Sequence, residues 1–146
     1  MAFQFSLAAV LRVRVSIEKR EERALQSIQR NIARTLIQIA ELRDAMEVAQ
    51  RERETALRQT ISGGHLHTML WEEQGGEQRV TSLLGELRVL EEASAKQMQL
   101  YQSAHQGREM LTNMRKKQKT SYEREWLREE QKRLDDIFMA RRHRIF

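Results

Sequence analysis

The stretch S-G-G-H-L-H-T-M-L-W-E-E-Q-G-G, residues 62–76, divides the chain into two long segments. It holds four of the six glycines in the 146-residue sequence. Glycine adopts positive φ without steric penalty and commonly ends helices, so the two Gly-Gly pairs predict a hinge at which the chain reverses direction. Whether residues 65–74 within this hinge are helical stays open from the sequence.

The segments on either side have the composition of long helices. The chain contains no proline, 32% charged residues and 5% aromatic residues, which favours uninterrupted helices over a thick globular core. The absence of cysteine excludes disulfides and thiolate metal sites and is compatible with a reducing cytoplasm. No apolar run is long enough to span a bilayer, and no basic residue precedes the apolar start of the chain, so we expect neither a membrane span nor a signal peptide.

The segment before the hinge carries apolar side chains at helical spacing. Alternating steps of four and three from Ile28 specify the seam of a left-handed coiled coil. Upstream, we expect the stripe to include Leu7, Val10, Ile17 and Ala24, with a stutter where two steps of four lead from Ala24 to Ile32. The positions from Ile28 onward, of which seven in ten are apolar, are Ile28, Ile32, Thr35, Ile39, Leu42, Met46, Ala49, Arg53, Ala56 and Thr60.

The segment after the hinge repeats the same spacing. Past Gly107 its seam becomes polar, as in a helix that is either exposed to solvent on its own or completed by a partner outside the chain. Two helices joined by a short insert pack antiparallel. We therefore predict an all-α fold, a long antiparallel two-helix coiled-coil hairpin in a single domain (1–146), with helix 1 at about 3–61, the glycine hinge at 62–76 and helix 2 at about 77–143. The second seam is Val80, Leu83, Leu87, Leu90, Ser94, Gln97, Tyr101 and Ala104.

We expect a monomer, because four glycines in the middle of the chain disfavour the alternative, a parallel homodimer of continuous helices.

The net charge of +5 is concentrated at one end of the chain. Residues 1–114 contain equal numbers of basic and acidic side chains, so the whole excess lies in residues 115–146. Such a basic segment favours an acidic partner surface, nucleic acid or anionic lipid. A basic coiled coil that binds nucleic acid is one alternative function, supported by Arg115, Lys116, Lys117 and Lys119. Aromatic residues do not alternate with this cluster as stacking platforms would.

No motif in the sequence indicates catalysis. His65 and His67 lack a third metal ligand, and the adjacent Glu72 and Glu73 do not face each other as a general acid and base must. No Gly-rich loop follows a strand, so the glycine pairs are not phosphate-binding loops. We therefore expect that the protein is not an enzyme and that it binds no cofactor, no metal and no small-molecule substrate.

The two ends of the sequence carry more specific patterns. Residues 3–14 read F-x-F-x-L-x-x-V-L-x-V-R and precede a Glu/Arg/Lys-rich helix. Residues 134–142 read L-D-D-I-F-M-A-R-R, an acidic pair followed by basic residues. Together with the length, the missing prolines and the central break, these patterns resemble the FliJ family of flagellar export proteins over nearly the full chain. The chain departs from the family in having Gly75 and Gly76 where an aromatic residue is common, with only Trp71 nearby.

The resemblance implies a non-enzymatic coiled coil similar to the central stalk of rotary ATPases. It implies binding to the hexameric export ATPase and to the cytoplasmic domain of the export gate, and a role in recycling export chaperones. Such a protein is cytoplasmic and lies at the cytoplasmic face of the inner membrane through association with the export apparatus. The equivalent stalk protein of a virulence type III secretion system is the other alternative.

Two sets of candidate binding residues follow from the hairpin and the resemblance together. The open end of the hairpin is expected to bind the ATPase through Phe3, Phe5, Leu7, Val10, Arg12, Arg14, Leu134, Ile137, Arg141 and Arg142. The hinge end is expected to bind the export gate through Leu42, Met46, Met69, Trp71 and Val80.

Overall fold

The computed structural model describes residues 2–145, which form two long helices. Helix α1 spans Ala8–Leu57 and helix α2 spans Gly63–Ile145. Residues 2–7 and 58–62 are not helical, and no strand occurs within the described range. The helices pack against each other, which confirms the predicted all-α two-helix fold.

The first helix is shorter than predicted at both ends. Alternation of Phe3, Phe5 and Leu7 suits an extended segment rather than a helix, and the chain enters α1 only after the backbone N–H of Ala8 bonds to the carbonyl of Phe5 at 3.1 Å. At the other end, the N–H of Gln59 bonds to the carbonyl of Ala56 at 3.0 Å. This three-residue spacing tightens the last turn and satisfies carbonyls that the helix leaves open.

The chain reverses at residues 58–62, so the predicted hinge at 62–76 was placed too late. Ser62 begins the second helix, because its Oγ accepts the N–H of His65 at 3.1 Å as an N-cap. Residues 65–74 are helical, and no described residue, glycine included, has a positive φ. The glycine pairs therefore lie in the first turn and in the body of α2, and α2 begins fourteen residues before the predicted position 77.

Gly76 has a packing role that explains one of these glycines. A Cβ at this position would lie 3.1 Å from Sδ of Met46, whereas a Cβ at Gly75 would meet nothing within 4 Å. The missing side chain at Gly76 lets the Met46 side chain lie directly against the α2 backbone. Glycine here serves close helix approach rather than a turn.

The described residues form two compact units, each containing antiparallel parts of α1 and α2. The turn unit is Glu21–Tyr101. Within it, Gln97 donates to the Glu21 carboxylate and Arg53 pairs with Glu73, so rising α1 numbers meet falling α2 numbers. The terminal unit comprises residues 2–20 and 102–145.

Burial along the helices confirms most of the seam and corrects its upstream part. Leu25, Ile39 and Leu83 are buried, the last with 2% of its surface exposed. Ala49 and Thr60, two predicted seam positions, are exposed. Upstream of Ile28, the predicted positions Leu7, Ile17 and Ala24 are partly buried, whereas Val10 is exposed and Leu11 is partly buried instead. Glu18 and Glu21 are partly buried in the seam as well, and Leu25 is buried.

Candidate functional site

The N-terminal segment packs on α2 in the terminal unit. Phe5 is buried, and the ring of Phe3 lies tilted against Tyr122 with 5.6 Å between ring centroids. Phe3, Phe5 and Arg12 line one groove together with Arg115. Of the predicted ATPase-binding residues, the structure therefore brings these three together. Arg14 instead extends across Gly107.

The sequence predicted that Phe3 lies beside Leu134, Ile137, Arg141 and Arg142. The structure does not place it there. Tyr122 precedes Leu134 by twelve residues, about 18 Å along a helix. The physical reason is the position of the turn. When a hairpin turns earlier, each α1 residue faces an earlier α2 residue, and the shift in pairing is twice the shift in the turn.

The last part of α2 is exposed and contains Leu134, Ile137, Arg141 and Arg142. Every residue from 131 to 144 is exposed, including the large side chain of Phe138. Basic residues Arg142, His143 and Arg144 occupy the last turn, where they interact favourably with the negative end of the helix dipole. This part of α2 can bind a partner along its whole surface.

The turn unit contains a second candidate surface, the turn groove, near the chain reversal. Leu42, Met46 and Met69 form its apolar floor. The paired side chains of Arg53 and Glu73 line it as well. Thioether side chains adapt their shape to a ligand, so this groove suits an apolar partner segment bordered by charge.

Two predicted gate-binding residues lie outside the turn groove. Trp71 is 70% exposed and does not line the groove. Val80 is partly buried in the seam. The sequence thus grouped five residues near the turn, and the structure brings together only Leu42, Met46 and Met69.

A polar layer in the terminal unit was missed by the sequence analysis. Arg108 donates from Nε to Glu18 Oε2 at 2.5 Å, and His105 Nδ1 lies 3.6 Å from Glu18 Oε1. The hydrogen bond from Arg108 holds the pKa of Glu18 below its ordinary value, against a smaller opposing effect of burial. Continuing the spacing back from Leu25 would have located Glu18 in the seam.

The comparisons with known proteins identify the family. The protein-family model described as "Flagellar FliJ protein" matches residues 3–144. The chain belongs to the FliJ family. No curated protein and no solved structure gave a significant match.

FliJ family membership makes the chain a component of the flagellar export apparatus, and the family is a non-enzymatic one. The match to a flagellar family supports the flagellar interpretation over its virulence counterpart. Within residues 2–145, neither helix has a stretch long and apolar enough to cross a bilayer. No group of three His, Asp or Glu side chains in the same range could hold a metal ion.

Proposed function

We propose that this FliJ-family protein couples the hexameric export ATPase to the cytoplasmic domain of the export gate. The exposed end of α2 binds within the ATPase ring, and the turn groove binds the gate. Through these contacts the protein is held at the cytoplasmic face of the inner membrane. It also helps to recycle export chaperones.

The observation that carries the proposal is the uncovered end of α2. Leu134, Ile137 and Phe138 are large apolar side chains exposed beside the basic residues Arg141 and Arg142. A single helix that is exposed on all sides can be surrounded by a ring of subunits, whereas a flat patch can contact only one or two. The basic charge favours a ring whose opening is acidic.

The two candidate surfaces lie in different units, which supports a coupling role. The exposed end of α2 is in the terminal unit, and the turn groove is in the turn unit. The two surfaces therefore share no residue. The protein supplies no catalytic group in this scheme. It raises ATP hydrolysis by favouring the assembled form of the ring, to which it binds more tightly.

The test compares stimulation of the purified export ATPase by three forms of the chain. We expect strong stimulation by the intact chain and little by a chain ending at Gln131 or by the double variant Arg141→Glu/Arg142→Glu. A double variant on the same helix, Arg124→Glu/Arg128→Glu, has the same change in charge before residue 131 and serves as the control. Full stimulation by the truncated chain, with helicity retained in circular dichroism, would contradict the ATPase contact.

A further inference from the structure

The last third of α2 has an apolar face that the described chain leaves uncovered. At 3.6 residues per turn, its five large side chains lie within about 120° of one another around the helix. Each of them is exposed, from 46% for Trp126 to 65% for Phe138. The members of this face are Trp126, Leu127, Leu134, Ile137 and Phe138.

Charged residues are ordered along this face. Glu123 lies in the middle of the face at its N-terminal end, and Arg141 lies at the same angular position at its C-terminal end. Between them Glu130 pairs with Arg133 at 3.7 Å. The face is therefore acidic at one end, basic at the other and balanced in its centre.

We propose that this apolar face binds the same face of a second copy of the chain, antiparallel, about a two-fold axis level with residue 132. Glu123 and Arg141 are equally far from residue 132, so each lies opposite the other in the two copies. Leu127 and Ile137 are likewise equidistant and face each other across the axis. One set of residues thus satisfies both halves of a symmetric contact.

The charges select this orientation. A parallel pair in register would place Glu123 against Glu123, Glu130 against Glu130 and Arg141 against Arg141, which is repulsive at each level. The antiparallel pair replaces the outer two repulsions with attractions. At its centre it gathers two copies each of Glu130 and Arg133, whose charges cancel.

The size of the face indicates a weak dimer. Ten apolar side chains, five from each copy and each about half exposed, would bury at most roughly 1,000 Å², at the lower limit for a specific interface. Phe3 borders the face where it lines a groove with Glu123 and Leu127, so the N-terminal segment extends the contact. We expect dimers at high protein concentration and monomers on dilution.

The dimer would regulate access to the surface proposed above for the ATPase. Leu134, Ile137 and Arg141 belong to both contacts, so one chain cannot use them for both partners at once. Pairing keeps the apolar face away from water until the ATPase displaces the second copy. The pairing itself does not depend on the ATPase proposal and is measured without that enzyme.

The test uses the full chain in sedimentation equilibrium over a range of concentrations. Glu123→Arg and Arg141→Glu each create two like-charged contacts, and we expect each to weaken the dimer about ten-fold or more. The variant carrying both changes restores opposite charges and should regain the affinity of the intact chain. A monomer at every concentration, or a double variant no better than the single ones, would overturn the proposal.

Orientation is tested by disulfide formation, because the chain contains no cysteine. A mixture of Glu123→Cys and Arg141→Cys chains should form the mixed disulfide, since each variant alone places its two cysteines about 27 Å apart. Glu125→Cys with Met139→Cys is the control, equally spaced about residue 132 but on the opposite side of the helix. Self-disulfides of Glu123→Cys, or equal crosslinking of the control pair, would refute the antiparallel arrangement.

The outcomes separate this proposal from the ATPase contact. The variant that carries both Glu123→Arg and Arg141→Glu should dimerise normally yet fail to stimulate the ATPase, because residue 141 has become acidic. If it stimulates fully, the ATPase contact is wrong and the dimer stands. If the intact chain stimulates the ATPase but never dimerises, the dimer is wrong and the ATPase contact stands.

Discussion

The turn unit and the terminal unit use the same helical spacing with different side chains. In the turn unit Leu25, Ile39 and Leu83 are buried in the seam, together with Thr35 and beside the contact of Gln97 with Glu21. In the terminal unit the seam contains Glu18 and Arg108, and α2 continues for fourteen exposed residues from 131 to 144. Both units bury apolar side chains, which in the terminal unit are Phe5, Ala104 and Leu111. The terminal unit differs in carrying a layer of charged residues in its seam and an exposed helix end that is available to partners.

The polar layer sets pairing specificity more than stability. An ion pair such as Glu18 with Arg108 must give up solvation, so its net contribution is smaller than that of an apolar layer of the same size. A slip of either helix, however, would separate the Glu18 carboxylate from the Arg108 guanidinium. The layer therefore favours one register of α1 on α2 in the terminal unit.

The largest expected effect is in the turn-unit seam. Leu83→Ala removes a side chain that is 2% exposed, and we expect a loss of about 2–5 kcal/mol in the free energy of unfolding from lost burial and the resulting cavity. Urea unfolding followed by circular dichroism measures it. Leu100→Ala, at a leucine of the same helix that is 55% exposed, is the matched control.

The chain ending at Gln131 completes this test of the two units. Because residues 132–144 are exposed, their removal should leave the unfolding midpoint of the remaining chain nearly unchanged. If Leu83→Ala costs no more than Leu100→Ala, or if the truncation destabilises as much as Leu83→Ala, the contrast between the units is wrong.

The next effect concerns the polar layer and depends on pH. Glu18→Gln should reduce the free energy of unfolding by about 1–2 kcal/mol at neutral pH, as expected for a partly exposed charge-assisted hydrogen bond. The pKa of Glu18 is lowered from 4.5 in the folded chain. Its contribution is therefore present above pH 4.5 and is lost as the pH falls through the lower folded-state pKa.

The free energy of unfolding of the intact chain and of the Glu18→Gln variant is measured between pH 2 and pH 7. The difference between the two values at each pH is the contribution of Glu18. The difference should be constant near neutral pH and shrink in acid. Glu47→Gln is the control, because the Glu47–Arg51 pair is mostly exposed and should contribute only a few tenths of a kcal/mol. A difference that grew on acidification would contradict the assigned role of Glu18.

A smaller effect separates the two central glycines. Gly75→Ala should stabilise the chain by about 0.5–1 kcal/mol, because alanine favours the helix and nothing lies near the new methyl group. Gly76→Ala should stabilise less or destabilise, since the Met46 thioether must move away. The melting temperatures of the Gly75→Ala and Gly76→Ala variants, each compared with that of the intact chain, measure the two effects. Equal gains would show that close approach at Gly76 is unimportant to packing.

The apolar part of the fold could be predicted from the sequence because its signal is long. Spacing of three and four over Ile28 to Met46 and over Val80 to Ala104 identifies two helices whatever their ends are. The family could be recognised from the patterns at residues 3–14 and 134–142. These features repeat or extend over many residues, so single substitutions do not hide them.

The turn and the polar layer depended on single contacts that a pattern does not reveal. Glycine pairs indicated a break, yet the Ser62 cap begins α2 at Gly63, and Gly76 provides space for Met46. The error in the turn then placed the expected partner of Phe3 at the end of α2, whereas its ring lies against Tyr122. Glu18 was missed because a charged residue in a seam resembles one on the surface until its partner is known.

The smallest expected change in stability is at Trp71, and this residue tests the binding role of the turn unit. Trp71 is 70% exposed, so Trp71→Ala should alter the free energy of unfolding by less than about 0.5 kcal/mol. If its ring contacts the export gate, the same variant should bind the gate domain at least ten-fold more weakly, as aromatic anchors do at interfaces. Calorimetric titration of the gate domain measures this. Trp126→Ala, at the other tryptophan and in the terminal unit, should bind the gate normally. A Trp71→Ala chain that loses helicity but binds the gate as tightly as the intact chain would make Trp71 a packing residue, and the gate contact would then rest on Leu42, Met46 and Met69 alone.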